Sequence, residues 1–198
     1  MSGLYGLILC GGRSLRMQQD KSQLDYHGQL DYHGLPQWQY LYQLLKPLTE
    51  KVFLSCRADQ VLETELPVII DSVGDAGPAT GILSAHAAFP ESAWLVLACD
   101  LPLISAQSLE LLIASRDMSK EATAFISSFK QSPEPLMTIW ETAGLKRLDL
   151  EKGCPRKTLL KAEIALIENP FAIEQFNANT PSEREEAMRA IMDAQLPR

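Results

Sequence analysis

The sequence predicts an α/β fold built on a mostly parallel sheet. Three observations carry this. Short apolar, β-branched runs alternate with helix-like segments along all 198 residues, the pattern of repeated strand–helix units. Several of those runs, Ala93–Cys99 among them, are apolar on both faces of the period-2 pattern, as in strands covered by helices on both sides. No linker or low-complexity tract divides the chain, so residues 1–198 read as a single domain.

The candidate strands are Leu4–Cys10, Lys51–Cys56, Val68–Asp71, Ala93–Cys99, Thr123–Phe129, Leu136–Glu141 and Ile164–Ile167. Between them lie candidate helices at Pro36–Leu48, Ala79–Phe89, Ala106–Arg116, Arg156–Ala162 and Pro181–Gln195. Pro36 suits a first helical turn, because its fixed φ is helical and its missing N–H is not needed there. The Ser105 hydroxyl suits a cap for the run at Ala106. Thr180-Pro181 followed by Glu183 has the form of another helix start. In parallel sheets of this kind ligands sit beyond the carboxyl ends of the strands, and the search for chemistry begins there.

The formal charge is −7, with 18 Lys and Arg against 25 Asp and Glu. That balance argues against sequence-independent nucleic-acid binding, which needs a basic face. It allows an anionic ligand held in a local cationic pocket. At 46% hydrophobic the chain can bury an ordinary core. Cys10, Cys56, Cys99 and Cys154 have no metal-ligand spacing and read as small buried hydrophobes in a reducing compartment. No charged region precedes a long apolar stretch at the N-terminus, and no run approaches the roughly 20 residues that span a bilayer. A cytoplasmic location, with no membrane partner, is expected.

The stretch LILCGGRSLRMQQDK, residues 7–21, concentrates charge against the trend of the chain. A core strand runs into Gly11-Gly12, where the backbone can turn sharply and a ligand can approach it closely. Successive N–H groups of such a turn form an anion-binding concavity. Arg13, Arg16 and Lys21 add cations suited to phosphate oxygens. Neither the GxxxxGK[ST] phosphate loop nor the GxGxxG fingerprint is present, and a GG pair alone marks only a tight turn.

Just beyond it, QLDYHG occurs twice, at Gln23–Gly28 and Gln29–Gly34. Two copies do not make a solenoid, so the repeat reads as a lengthened surface loop. His27 and His33 have no further residues at ligand spacing nearby. His86 reads as a packed or capping histidine. The aromatics from Gln37-Trp38 to Tyr42 read as core.

Asp71 and Asp100 each close an apolar strand. A lone example is an ordinary turn former. Two at successive strand ends suit Mg²⁺, which takes carboxylates and phosphate oxygens. No Ser/His/Asp or Cys/His set is present, and in-line phosphoryl transfer needs none. Arg147, Arg156 and Lys157 mark the segment 144–157 as a basic face or an anion contact.

LCGGRSLRMQQDK resembles the L-A-G-G-x-S-x-R-M-G-x-D-K signature of sugar-nucleotide and related nucleotidyltransferases, and most closely that of the molybdenum cofactor guanylyltransferases. GPATGILSA (77–85), LACDLP (97–102), EPLMTIW (134–140) and FNANTPSE (176–183) resemble the family's later segments in the same order. The resemblance implies a three-layer α/β/α, Rossmann-like nucleotidyltransferase fold, nucleotide-binding in its N-terminal half and acceptor-binding in its C-terminal half. It implies transfer of GMP from GTP to the phosphate of molybdopterin, with release of pyrophosphate.

It assigns nucleotide contacts to Leu9, Cys10, Gly11, Gly12, Arg13, Lys21, Asp71 and Asp100. Arg16, Lys21 and Asp100 become catalytic, Asp100 the Mg²⁺ ligand, and Asn177, Asn179 and Arg156 acceptor contacts. A weaker role falls to Asp75, after Gly74. GTP and molybdopterin are the implied small-molecule substrates, with molybdenum cofactor biosynthesis or acceptor proteins as partners. Cys10 departs from the usual Ala, Gln18 from the usual Gly, and Cys56-Arg57 from an Asn that helps read the base. A cytidylyltransferase for the same acceptor, a nucleotidyltransferase for a sugar or polyol phosphate, and a non-catalytic nucleotide-binding module remain alternatives.

Overall fold

The structure, a computed structural model, describes residues 3–12, 14, 16–28, 34–72, 77–151 and 153–195. Arg13, His33, Gly74, Asp75 and most of the second QLDYHG copy lie outside the described residues. Seven strands form one sheet: β1 (Leu4–Leu9), β2 (Lys51–Cys56), β3 (Val68–Ile70), β4 (Ala93–Ala98), β5 (Ala122–Ile126), β6 (Pro133–Trp140) and β7 (Ile164–Ile167). Among the described residues six α-helices accompany them: α1 (Gln37–Leu45), α2 (Pro78–Ala88), α3 (Ala106–Ala114), α4 (Thr142–Glu151), α5 (Pro155–Leu159) and α6 (Pro181–Gln195).

The strand order is β3-β2-β1-β4-β6-β5-β7. Every neighbouring pair is parallel except those made by β6, which runs antiparallel to β4 and β5. Successive side chains of a strand face opposite layers, and the core divides accordingly. Ile8, Leu95 and Leu97 pack with Leu41 and Leu45 of α1 and Leu109 and Leu112 of α3. Leu7, Trp94 and Val96 pack with Ile82 and Leu83 of α2 and Leu145 and Leu148 of α4. The result is the expected three-layer arrangement. Each such aliphatic side chain contributes roughly 1.5–3 kcal/mol by leaving water, so the central strands hold their ends in fixed positions.

The predicted elements recur with trimmed ends. Strand β5 stops at Ile126, because Ser127 N–H donates to Ser132 O (2.7 Å) and closes the turn into β6. Pro36 is the residue before α1 and not in its first turn. Ser105 caps α3 as expected, its hydroxyl accepting from Ser108 N–H (3.4 Å). Helix α4 starts at Thr142 and runs into the segment 144–157, which in sequence reads as a basic face or an anion contact and not as a helix. The first QLDYHG copy is not a surface loop: Leu24, Tyr26 and His27 are buried, and the His27 ring stacks on Tyr40 with centroids 3.9 Å apart. Among the described residues, no helix is long and apolar enough to cross a membrane.

Candidate active site

Parallel pairing sets β1 and β4 side by side, with Leu9 opposite Ala98. The turn after β1 and the Asp100 carboxylate therefore leave the sheet at the same rim. Between them opens a cleft of about 450 Å³. Leu9, Cys10, Gly11, Gly12, Ser14 and Lys21 line one wall. Cys99, Asp100 and Leu136 line another, and Ser55, Arg57, Asp71 and the start of α2 close the far end.

Lys21 is placed by its own turn. Asp20 caps a short 3-10 helix, Lys21–Gln23, accepting from the Ser22 N–H (2.9 Å) and hydroxyl (2.7 Å). The Lys21 ammonium then lies 3.9 Å from Asp100 Oδ2 and donates to Asn179 Oδ1 (2.7 Å). Arg16 Nη2 donates to the same Asn179 oxygen (3.2 Å). Asn179 is held in turn by α6. Glu183 Oε2 accepts from the Asn179 N–H (2.9 Å) and the Thr180 hydroxyl (3.0 Å), and the Thr180 hydroxyl accepts from Glu183 N–H (3.3 Å), a reciprocal capping arrangement.

Asn177 Nδ2 donates to Asp100 Oδ1 (3.3 Å), and Ala178 N–H donates to the Asp100 carbonyl (2.8 Å). Arg16, Lys21, Asp100, Asn177 and Asn179, scattered over 164 positions of sequence, thus form one cluster. Burial pushes the Asp100 carboxyl up, offset in part by Lys21 and Asn177. Burial also pulls the Lys21 ammonium down, with Asp100 opposing. Both groups are kept short of full solvation and short of a tight ion pair, which suits a site awaiting a charged ligand.

Asp71 follows β3 at the far end. Ser55 Oγ donates to its Oδ1 (2.6 Å), and burial raises its carboxyl despite that bond. Asp71 Oδ2 lies so close to Gly11 that a methyl group there would collide with it. Gly12 has open space around its missing side chain. Gln18, where the family signature has Gly, adopts φ +60°. The left-handed path is therefore kept by a residue that adopts it at a cost.

Arg156, expected at the acceptor, is engaged by Glu134 of β6 (3.4 Å), a buried carboxylate raised by burial, and it does not line the cleft. Its guanidinium joins α5 to the sheet. Arg147 pairs with Glu121 (2.8 Å), and Lys157 is exposed. Cys10, Cys56 and Cys99 are buried and free, and Cys154 is free but exposed. The Cys10 and Cys99 sulfurs lie 3.7 Å apart. Hydrogen bonding with Cys56 and Cys99, then burial, pushes the Cys10 thiol up. His86 is buried in the last turn of α2, and burial lowers its pKa.

Among the described residues no group of three or more His, Cys, Asp or Glu is arranged to hold a metal ion. That excludes a closed all-protein cage there, but not Mg²⁺, which commonly uses one or two carboxylates and takes its remaining ligands from phosphates and water. Asp100 offers a hard oxygen donor whose negative charge is only partly balanced, and this donor chemistry fits such an ion.

Sequence reasoning missed Ser55, Gln60 and Glu134 and left Arg57 without a role. Only Glu134, in the segment EPL, carried a signal.

Fold and cleft together define an α/β protein with cations and carboxylates gathered at the carboxyl ends of its parallel strands. Residues 6–163 match the family described as MobA-like NTP transferase domain, and the chain belongs to that family of nucleotidyltransferases. It is 36% identical over 187 residues to the "Molybdenum cofactor biosynthesis bifunctional protein" of Synechocystis sp., covering 91% of this chain and 52% of the relative. The chain thus spans about half the length of that relative. It is 33% identical over 169 residues to a Flavobacterium johnsoniae protein named "Probable molybdenum cofactor guanylyltransferase", covering 80% of this chain and 86% of that one. Among solved structures, molybdopterin-guanine dinucleotide biosynthesis protein A from Archaeoglobus fulgidus superposes with a TM-score of 0.74 at 20% identity, covering 96% of this chain and 99% of that one. A nucleotidyl transferase from Methanothermobacter superposes with a TM-score of 0.77 at 16% identity, covering 98% and 100%. At these identities the two structures speak to the fold.

Proposed function

We propose that the protein is a Mg²⁺-dependent guanylyltransferase that moves GMP from GTP to the phosphate of molybdopterin and releases pyrophosphate. The observation that carries this reading is the convergence of Lys21, Arg16 and Asp100 on one rim, with Asn179 holding both cations. Family membership supports the reaction class, and the names of the relatives support the substrates.

The N-terminal half carries the nucleotide. The Gly11-Gly12 turn, Arg16 and Lys21 receive the β- and γ-phosphates, and Asp71, with Leu9 and Cys10, borders the nucleoside. Asn177 and Asn179 approach from the C-terminal half, on the acceptor side. An oxygen of the acceptor phosphate attacks the α-phosphorus as the bond to the bridging oxygen breaks, and the electron pair leaves with pyrophosphate. Two anions must meet, so the chain's task is to neutralise charge and fix the line of attack. Lys21 and Arg16 leave Asn179 for phosphate oxygens, and Lys21 faces the charge that grows on the leaving group. Asp100 would hold Mg²⁺, which when bound neutralises phosphate charge and makes the α-phosphorus more electrophilic. A cytoplasmic setting and contacts with molybdenum cofactor biosynthetic or acceptor proteins belong to the same reading.

The test is pyrophosphate release with Mg²⁺ and each of GTP, CTP, ATP and UTP, with and without molybdopterin. GTP with molybdopterin is the expected productive pair. Preference for CTP would make the protein a cytidylyltransferase, and nucleotide binding without turnover would make it a non-catalytic module.

A further inference from the structure

The connection after β2, Arg57-Ala58-Asp59-Gln60, grips the backbone of the glycine turn. Arg57 Nη1 donates to the carbonyls of Gly11 (3.1 Å) and Gly12 (2.9 Å). Gln60 Nε2 donates to the carbonyl of Cys10 (3.1 Å) and to Asp20 Oδ2 (2.7 Å). Three successive carbonyls are therefore held by two side chains of one tight turn. That turn is closed on itself by Gln60 N–H donating to Arg57 O (3.1 Å), and Asp59 Oδ1 fixes the guanidinium through Arg57 Nε (2.9 Å). The hold on Asp20 reaches the residue that caps the Lys21 turn.

A trans peptide carries its C=O and N–H on opposite sides. Fixing the Gly11 carbonyl toward Arg57 therefore fixes the Gly12 N–H away from it. Glycine is the residue least able to hold such an orientation unaided. Carbonyl dipoles near a polyphosphate would repel it, and the guanidinium occupies those carbonyls.

We infer that Arg57 and Gln60 are positioning residues that clamp the glycine turn in its anion-receiving form, so that triphosphate affinity depends on side chains of the β2–β3 connection. The inference rests on the triphosphate seat proposed above. Gln60 is the discriminating residue, because it does not line the cleft and any effect it has on ligand passes through the backbone it holds, the glycine turn and the Asp20 cap beside it. Arg57 does line it, so base contact is the competing role for that side chain.

The experiment measures dissociation constants for inorganic tripolyphosphate, GTP and guanosine on the intact chain, for wild type, Arg57→Lys, Arg57→Met and Gln60→Leu. Circular dichroism confirms the fold of each variant, with Arg57→Lys as the milder change. The clamp predicts weakening of about tenfold for tripolyphosphate and GTP alike in Gln60→Leu and Arg57→Met. Guanosine should be unchanged, and Arg57→Lys should restore affinity only partly, since a lysine lacks the fixed guanidinium fork. Wild-type affinity for tripolyphosphate in both Gln60→Leu and Arg57→Met would overturn the clamp and leave the seat standing. Loss confined to guanosine in Arg57→Met would make Arg57 a base reader and overturn it too. A wild-type protein that does not bind tripolyphosphate would remove the seat itself.

Discussion

Replacing Lys21 with methionine keeps most of the side-chain volume and removes the charge. At the observed 3.9 Å from Asp100 Oδ2, a unit charge pair at an effective dielectric constant of 20 interacts by about 4 kcal/mol. A phosphate oxygen taking the place of Asn179 Oδ1, now 2.7 Å from the ammonium, would feel at least as much. Part of that is offset because the ammonium is itself desolvated in the cleft. A net loss of roughly 3 kcal/mol remains, a fall of about 10²-fold in kcat/KM. Charge on the leaving pyrophosphate grows in the transition state, so kcat should fall as well as affinity.

The assay is steady-state pyrophosphate release with GTP and molybdopterin, with melting temperature as the control for folding. A second readout follows from the sign of the coupling. Lys21 lowers the Asp100 carboxyl, so without it the acid limb of the pH–rate profile moves to higher pH. A Lys21→Met protein within threefold of wild type, or one with an unmoved acid limb, would refute the reasoning.

In the wild-type protein the acid limb of kcat/KM, which reports the free enzyme before nucleotide and Mg²⁺ bind, should lie above the ordinary aspartate range, because burial raises Asp100 and the competent form is ionised. The alkaline limb should lie below the ordinary lysine range, because burial lowers Lys21 and the competent form is protonated. A profile flat between pH 4 and 10 would contradict both directions. Gly11→Ala should cost about 1–3 kcal/mol by collision with Asp71, whereas Gly12→Ala should change stability by less than about 0.5 kcal/mol; equal melting temperatures for the two would refute the packing argument. Gln18→Gly releases a left-handed residue at φ +60°. Its relief of about 1–2 kcal/mol, less about 0.5–1 kcal/mol for glycine's freedom when unfolded, should raise the melting temperature by about 2 °C. A lowered melting temperature would show that the Gln18 side chain contributes more than its backbone costs.

Much of the fold was legible because the central strands are apolar on both faces, a pattern that does not depend on partners. Strand β2 matches its predicted bounds for this reason, helix α6 for the Thr180-Pro181 start, and the edge strand β7 through its short apolar run Ile164–Ile167. Helix α4 was not legible: Gly144 and a polar face hide a helix whose buried contacts are Leu145 and Leu148. Lys21 and Asp100 were visible as charges placed at strand ends. The clamp was not, because Arg57 and Gln60 act on backbone carbonyls, which leave no mark in side-chain spacing. The partner of Arg156 was not legible either, because Glu134 lies 22 positions away in sequence. Burial of the first hexapeptide copy depended on Tyr40, which sequence alone could not bring beside His27.

The most direct measurement is pyrophosphate formation by wild type and Asp100→Asn, side by side, with GTP, molybdopterin and saturating Mg²⁺. The account predicts one pyrophosphate per GMP joined in the wild type and no detectable product in a folded Asp100→Asn protein. Product from Asp100→Asn at the wild-type rate would contradict the claim that this rim performs the transfer.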